Sequence, residues 1–134
     1  MAHFVLDSYA LLAYFRNEEG GEKVGQLLQE AAADKHELHM TCINAGEVFY
    51  MAWRKDGAGK AALVWKALQQ FPIHIAEVDL AFTHKAALLK AKGKLSFADA
   101  FAAALTISKK ATLITGDHEF ESLKGETNFK VKYL

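Results

Sequence analysis

Short apolar segments alternate along this chain with longer segments of helical periodicity, and this alternation restricts the fold more than any other feature. The apolar segments predict strands at residues 4–6, 38–41, 73–78, 111–115 and 129–133. Apolar residues spaced by three and four predict helices at 8–16, 22–33, 43–54, 61–71, 79–91 and 96–109. Strands separated by helices are typical of an α/β domain with a mostly parallel sheet.

Composition narrows the class of protein. The 134 residues predict one domain, 1–134, and a hydrophobic fraction of 51% excludes a disordered chain. The single cysteine, Cys42, cannot form an internal disulfide. The first residues do not resemble a signal peptide, and no apolar run approaches the ~18 residues of a membrane span. A cytoplasmic location is therefore expected.

The charges of the chain balance. Sixteen Lys and Arg residues stand against sixteen Asp and Glu residues, so the formal net charge is zero. This balance argues against a protein that binds nucleic acid through a broad basic face.

Two aspartates directly follow predicted strands. Asp7 comes after the first strand, and Asp117 comes one glycine after the strand 111–115. Ligands of parallel α/β sheets gather at the carboxyl edge, where both residues are expected to lie. Asp is also a preferred N-cap residue, so a purely structural role remains open for each.

Two further carboxylates are expected on helices. The neighbours of Glu47 one turn away are apolar, so it lies along a buried stripe, unless it reaches solvent at the edge or pairs with Arg54. Asp99 is the third helical residue of a capping box that starts at Ser96. The small residues that follow Asp99 on its helix face would let that helix lie close to the sheet.

These four carboxylates can converge at one point above the sheet. Such a group is stable in its ionised form only with a cation in place, because the like charges repel. Oxygen ligands without His or Cys favour Mg²⁺ or Mn²⁺, and such sites catalyse hydrolysis of phosphodiesters. The sequence therefore predicts a metal site formed by Asp7, Glu47, Asp99 and Asp117.

Other α/β chemistries fit less well. No Gly-rich phosphate-binding loop occurs, and Tyr9 occupies the position where an aspartyl-phosphate enzyme has its second aspartate. Response-regulator receivers have an acidic pair beside the first strand, whereas Asp7 stands alone. His36 and His39 are expected to flank a strand at the surface rather than to bind metal.

The chain resembles the PIN-domain nucleases, and among them the VapC-type toxins of toxin–antitoxin systems. Four segments in family order carry the resemblance: Val5-Leu6-Asp7-Ser8-Tyr9-Ala10-Leu11-Leu12-Ala13, Asn44-Ala45-Gly46-Glu47-Val48, Ser96-Phe97-Ala98-Asp99-Ala100 and Leu113-Ile114-Thr115-Gly116-Asp117-His118-Glu119-Phe120. The resemblance implies a three-layer α/β/α fold and an endoribonuclease in which Mg²⁺ or Mn²⁺ is held by the four carboxylates. Water would attack the phosphorus of RNA, and the ribose 3′-oxygen would leave.

The resemblance also suggests supporting residues. Thr115 would orient a carboxylate by a hydrogen bond, and Ser8 would either do the same or only cap a helix. Glu119 stands where the family often has Asp, and it is left outside the expected site. Lys92, Lys94 and Arg54 are expected either to contact RNA phosphates or to be ordinary solvent-exposed residues.

The expected partners are RNA, a cognate antitoxin and a second copy of the chain. Two alternatives remain: an RNA-processing PIN nuclease without an antitoxin, and a degenerate PIN module that binds without catalysis. Most of the aromatic residues of the first, third and fourth helices are expected to pack in the core, and the remainder would line a partner groove; they are Tyr9, Tyr14, Phe15, Phe49, Tyr50, Trp53 and Trp65.

Overall fold

A five-stranded sheet forms the centre of the protein. The computed structural model describes residues 1–134. The strands are β1 (Ala2–Leu6), β2 (His36–Thr41), β3 (Ile73–Ala76), β4 (Thr112–Thr115) and β5 (Lys130–Tyr133). All neighbouring strands are parallel, in the order β3-β2-β1-β4-β5. The expected α/β class is confirmed, and the mostly parallel sheet is in fact entirely parallel.

Six α-helices cover the two faces of this sheet. They are α1 (Ser8–Phe15), α2 (Gly21–Ala32), α3 (Cys42–Asp56), α4 (Ala58–Gln70), α5 (Leu80–Lys92) and α6 (Phe97–Lys109). A 3-10 helix, His118–Leu123, connects β4 to β5. None of the helices has both the length and the apolar character needed to cross a lipid bilayer.

The sheet lies between two layers of helices, and each face of the sheet has its own hydrophobic core. Leu6, Leu38 and Ile114 pack from one sheet face against α1 to α4, whereas Val5 and Leu113 pack from the other face against α5 and α6. Val5, Leu6, Leu38 and Leu113 have no solvent-exposed area, and Ile114 is 1% exposed. Strands covered on both faces are characteristic of parallel sheets.

Local signals set the helix boundaries. Asp79 caps α5 by accepting a hydrogen bond from the amide of Phe82 at 2.8 Å, and Ser96 caps α6 through the amide of Asp99 at 3.1 Å. α4 ends at Gln70, ahead of Pro72, because the residue before a proline disfavours helical geometry.

The prediction for two histidines is wrong. His36 and His39 lie within β2 and are 8% and 5% exposed. His36 contacts the carbonyl oxygen of Leu27 at 2.9 Å. Burial, followed by the nearby charge of Lys109, lowers the pKa of His39 to about 4. The apolar segment predicted β2 only from residue 38, because the polar residues that begin the strand give no hydrophobic signal.

The expectation that most of the early aromatic residues are core residues is also wrong. Five of the seven are exposed, at 36% to 51%, namely Tyr9, Tyr14, Tyr50, Trp53 and Trp65. Phe15 and Phe49 are partly buried against the core. The reason is that α1, α3 and α4 cover the sheet with their small and aliphatic residues and turn these rings outward.

Candidate active site

Asp7 lies at the carboxyl end of β1 and is 1% exposed. Its Oδ1 accepts a hydrogen bond from the amide of Ala10 at 2.9 Å, so it caps α1. Its Oδ2 accepts a hydrogen bond from the hydroxyl of Thr115. The capping role and the site role are therefore compatible, and the two bonds fix the orientation of the carboxylate.

Thr115, at the end of β4, connects two of the aspartates. Besides donating to Asp7, its Oγ1 accepts a hydrogen bond from the amide of Asp117 at 3.0 Å. Oδ1 of Asp117 in turn accepts from the amide of Glu119 at 2.9 Å. One buried hydroxyl thus positions both strand-end carboxylates, which is the orienting role expected for Thr115.

A cavity of about 430 Å³ opens above this edge of the sheet. Glu47 of α3, Asp99 of α6 and Asp117 line it. Oε2 of Glu47 accepts a hydrogen bond from the hydroxyl of Tyr50 at 3.4 Å. Three of the four predicted acids therefore come from separate parts of the chain to line one cleft. Asp7 does not line it, but lies close enough for the charges of Asp99 and Asp117 to act on its carboxylate.

Glu119 also lies in this cleft, although it was left outside the expected site. Its carboxylate and those of Asp99 and Asp117 have oxygen atoms within 4.8 Å of one another. The 3-10 helix that starts after Asp117 brings Glu119 back toward α6. The position of Glu119 could not be predicted from the sequence. The side chain of Glu119 reaches the cleft only because the backbone after Asp117 forms this 3-10 helix.

The like charges in the cleft perturb the acids. Burial, together with the weaker effect of the charges of Asp99 and Asp117, raises the pKa of Asp7 to about 7, although the hydrogen bonds from Thr115 and Ala10 act in the opposite direction. Burial, followed by the charges of Asp117 and Glu47, likewise raises the pKa of Asp99 to about 6. A divalent cation would relieve this repulsion, and the donor atoms are all carboxylate oxygens, so the residues fit Mg²⁺ or Mn²⁺.

Asn44 is a site-supporting residue that the sequence analysis missed. It has no exposed area and lies at the start of α3. Its Nδ2 donates to the carbonyl oxygen of Ala98 at 3.1 Å and to Oγ of Ser8 at 3.4 Å. Asn44 therefore joins the helices α1, α3 and α6, which position Asp7, Glu47 and Asp99. Asn44 lies one helical turn before Glu47, and this spacing is the signal in the sequence that could have identified it.

Ser8 does not contact a carboxylate. Its hydroxyl donates to the carbonyl oxygen of Asn44 at 3.2 Å, so it holds α1 against α3. Neither of the two roles left open for Ser8 is seen: its hydroxyl does not bond to an acidic side chain, and Asp7 rather than Ser8 caps α1.

Arg16 is the one basic residue among those that line the cleft. Its Nε is buried and has no hydrogen-bond partner in the protein. The three predicted phosphate contacts lie elsewhere: Lys92 forms an ion pair with Glu126 at 3.2 Å, and Arg54 lies 4.9 Å from the ring centre of Tyr50. Lys94 is exposed beside the 3-10 helix. An RNA-binding role for these three remains a prediction.

Gly116 lets an aromatic ring approach the site. A Cβ atom at this position would lie 2.2 Å from the ring of Tyr9, which lines the cleft. Tyr9 is 48% exposed, so its ring forms a partly open part of the cleft wall beside the residue that precedes Asp117.

The comparison with known families agrees with this arrangement. The family model of the PIN domain matches residues 4–126, which include all four acids. The chain belongs to the PIN domain family. The resemblance inferred from the four sequence segments is thereby confirmed.

Solved PIN structures have the same fold. VapBC2 from Rickettsia felis, bound to a DNA fragment from their promoter, has a TM-score of 0.73 at 14% identity, covering 98% of each chain. VapC20 of Mycobacterium tuberculosis, a Sarcin-Ricin loop cleaving toxin, has a TM-score of 0.73 at 15% identity, covering 95% of this chain and 98% of its own. VapBC-1 from nontypeable Haemophilus influenzae has a TM-score of 0.68 at 19% identity, covering 98% and 97%. A search of curated protein sequences gives no match.

In this PIN domain, replacing Thr115 by Val is expected to lower the free energy of unfolding by about 1–3 kcal/mol. Valine has a similar shape but leaves the amide of Asp117 without its acceptor and Oδ2 of Asp7 without its donor. Urea denaturation measures the loss. Thr115→Ser keeps the hydroxyl and should recover most of it; equal losses in both variants would show that the methyl group, and not the hydroxyl, matters.

Proposed function

We propose that the protein is a metal-dependent endoribonuclease and the toxin of a toxin–antitoxin pair. The observation that supports this most is the convergence of Glu47, Asp99 and Asp117 in one cleft of a PIN domain, with the buried Asp7 coupled by charge to two of them. The similar VapC20 is described as a toxin that cleaves the Sarcin-Ricin loop, which favours RNA as the substrate.

The carboxylates would hold Mg²⁺ or Mn²⁺ at the carboxyl edge of the sheet. The bound ion would supply positive charge that makes water a better nucleophile and stabilises the charge developing on the phosphate. Thr115 and the amide of Ala10 keep Asp7 in one orientation, so its oxygens are already in place when RNA binds. A carboxylate of the cleft accepts the proton of the attacking water as the bond to the ribose 3′-oxygen breaks.

The balance of charges is compatible with this substrate. Four of the sixteen acidic residues belong to the proposed metal site, and bound cations would neutralise them. The rest of the chain then has sixteen basic residues against twelve acidic ones. RNA binding is therefore expected to require the metal as well as the basic residues.

An exposed aromatic surface supports a protein partner. Trp53 on α3 and Trp65 on α4 are 51% and 40% exposed, and both rings contact Phe49. Leu63 nearby in the chain is 67% exposed. Apolar side chains grouped on a helical surface are typical of interfaces. An antitoxin, or a second copy of this chain, is proposed to cover them.

A cleavage experiment with purified protein and total cellular RNA tests the function. Cleavage is expected with Mg²⁺ or Mn²⁺ and none with EDTA, and mapping of the new ends identifies the sequence that is cut. The products should carry a free 3′-hydroxyl, because the 3′-oxygen is the leaving group. Cleavage that continues in EDTA, or no cleavage of any RNA with either metal, would contradict the proposal.

Replacing Arg16 by Ala is expected to weaken RNA binding and to lower the slope of log affinity against log salt by about one unit. Arg16 is the one basic residue that lines the cleft, and its Nε has no hydrogen-bond partner in the protein. Titrations in an Asp99→Asn background avoid cleavage during the measurement.

The same titration tests the surface lysines. If Lys92 and Lys94 contact phosphates, the double variant Lys92→Ala, Lys94→Ala should also lower the slope, by about one unit for each contact. Lys66 on α4 is exposed and lies outside the cleft, so Lys66→Ala is the matched control. An unchanged slope for Arg16→Ala would limit Arg16 to a structural role.

A further inference from the structure

A second cluster of ligand atoms lies on two neighbouring strands of the sheet, β1 and β2. His3 of β1 is the register partner of Glu37 on β2, and His39 is two residues further along β2. The three side chains project to the face that α5 and α6 cover, because His39 is paired with Val5 of that core. His3 is four residues before Asp7, about 13 Å along an extended strand, so this cluster is separate from the acidic cleft.

Three atoms of this cluster meet at one point. Nδ1 of His3 lies 3.0 Å from Nε2 of His39 and 3.1 Å from Oε2 of Glu37, and the last two atoms are 4.0 Å apart. Zinc bound tetrahedrally at its usual 2.0–2.1 Å places neighbouring ligand atoms about 3.3–3.4 Å apart. The three observed distances bracket this value, so small rotations of the side chains suffice to hold the ion.

The way in which the two histidines share a proton also favours the binding of a cation. When two imidazoles meet through ring nitrogens, one nitrogen donates and the other accepts, so a single proton lies between them. Glu37 adds a second acceptor close to the same proton. The lone pairs of two nitrogens and one oxygen therefore face one point, and a divalent cation can replace the shared proton there.

We propose that His3, Glu37 and His39 form a binding site for Zn²⁺. Two nitrogen ligands and one oxygen ligand favour zinc over magnesium, which prefers oxygen alone. Water would be the fourth ligand, or His74, whose ring centre lies 5.3 Å from that of His39. Lys109 opposes a cation by its charge, but its side chain is exposed and can turn toward solvent.

Such an ion would join β1 to β2. β1 is the central strand of the sheet and ends in Asp7, so zinc would stabilise the strand that carries the first acid of the cleft. The ion binds the folded chain more tightly than the unfolded one, because only the fold brings position 3 beside positions 37 and 39.

Titration with Co²⁺ and Zn²⁺ in excess Mg²⁺ tests this site, with the Asp99→Asn variant as the starting protein so that the acidic cleft is impaired. Co²⁺ should give the intense visible absorption of a four-coordinate site with nitrogen ligands, and one equivalent of Zn²⁺ should remove it. Glu37→Gln and His3→Gln change partly exposed side chains, and each should weaken Zn²⁺ binding at least tenfold.

His84→Gln is the matched control, because His84 is an exposed histidine of α5 outside the cluster. It should bind Zn²⁺ as the starting protein does, and Zn²⁺ should raise the melting temperature of both but not of Glu37→Gln. Circular dichroism verifies that each variant is folded. Zinc affinity that is unchanged in Glu37→Gln and His3→Gln, or the weak absorption of an all-oxygen six-coordinate cobalt site, would overturn the proposal.

Discussion

The Asp99→Asn variant is expected to lose RNA cleavage by about three orders of magnitude or more, measured with Mg²⁺ at saturating RNA. Asn has no negative charge and one oxygen fewer, so it weakens a site that rests on carboxylates alone. A metal ion contributes several kcal/mol to stabilising the transition state, and each 1.36 kcal/mol is about tenfold in rate. Asp99 lies where α6 begins, so its loss also removes an oxygen that faces Asp117 and Glu119.

The fold of this variant should be unaffected. Ser96 caps α6 through the backbone amide of residue 99, which an Asn also has. Asp79→Asn is the matched control: it makes the same chemical change beside the start of α5, outside the cleft, and Asn is an equally good N-cap. The control should cleave RNA as the unchanged protein does. Equal cleavage by Asp99→Asn and Asp79→Asn would exclude the proposed site.

Without divalent metal, the free energy of unfolding is expected to fall as pH rises from about 4 to about 7. Burial raises the pKa of Asp7 from 3.8 in its ordinary state to about 7 in the folded protein. Between these values the folded state keeps a proton that the unfolded state has released, so the stabilisation is complete below about pH 4 and is lost as pH rises through 7. At 1.36 kcal/mol per pKa unit the loss is on the order of 4 kcal/mol.

Urea denaturation at several pH values in EDTA measures this dependence. Asp7→Asn is neutral throughout the range, so it should keep only the smaller slope that the raised pKa of Asp99 produces. Mg²⁺ should stabilise the unchanged protein near pH 7 more than it stabilises Asp7→Asn, because it binds the folded state. A slope in EDTA that is the same for Asp7→Asn and for the control Asp79→Asn would contradict a buried, protonated Asp7.

Most elements of the fold could be predicted from the sequence, because their signals are local. The predicted helix 79–91 differs from α5 by one residue at each end, and the predicted strand 111–115 differs from β4 by one residue at one end. β1 begins two residues before the predicted strand, since Ala2 and His3 have little apolar character. The order of the strands could not be predicted from local signals, because β1 pairs with β4 across more than a hundred residues and no local pattern specifies that pairing.

The candidate acids could be selected from the sequence because their positions follow from strand ends and helix faces. The hydrogen bonds that surround these acids could not be predicted from the sequence. The bonds of Asn44 to Ala98 and Ser8 join segments that are 54 and 36 positions apart, and they depend on how α6 crosses α3. The same limit applies to His3 and His39, which come together only through the register of β1 on β2.

The hydrogen bond from Thr115 to Asp7 spans 108 positions of the chain. A ribosome that adds 5–20 residues per second needs roughly 5–20 s to make that stretch. A growing polypeptide therefore carries Asp7 for many seconds before the partner that orients it, and Asp117 beside that partner, has been synthesised. Asp117 is also among the last third of the residues to be made, so an unfinished or prematurely terminated chain has no complete cleft. The proposed RNA cleavage therefore cannot begin until the ribosome has made most of the protein.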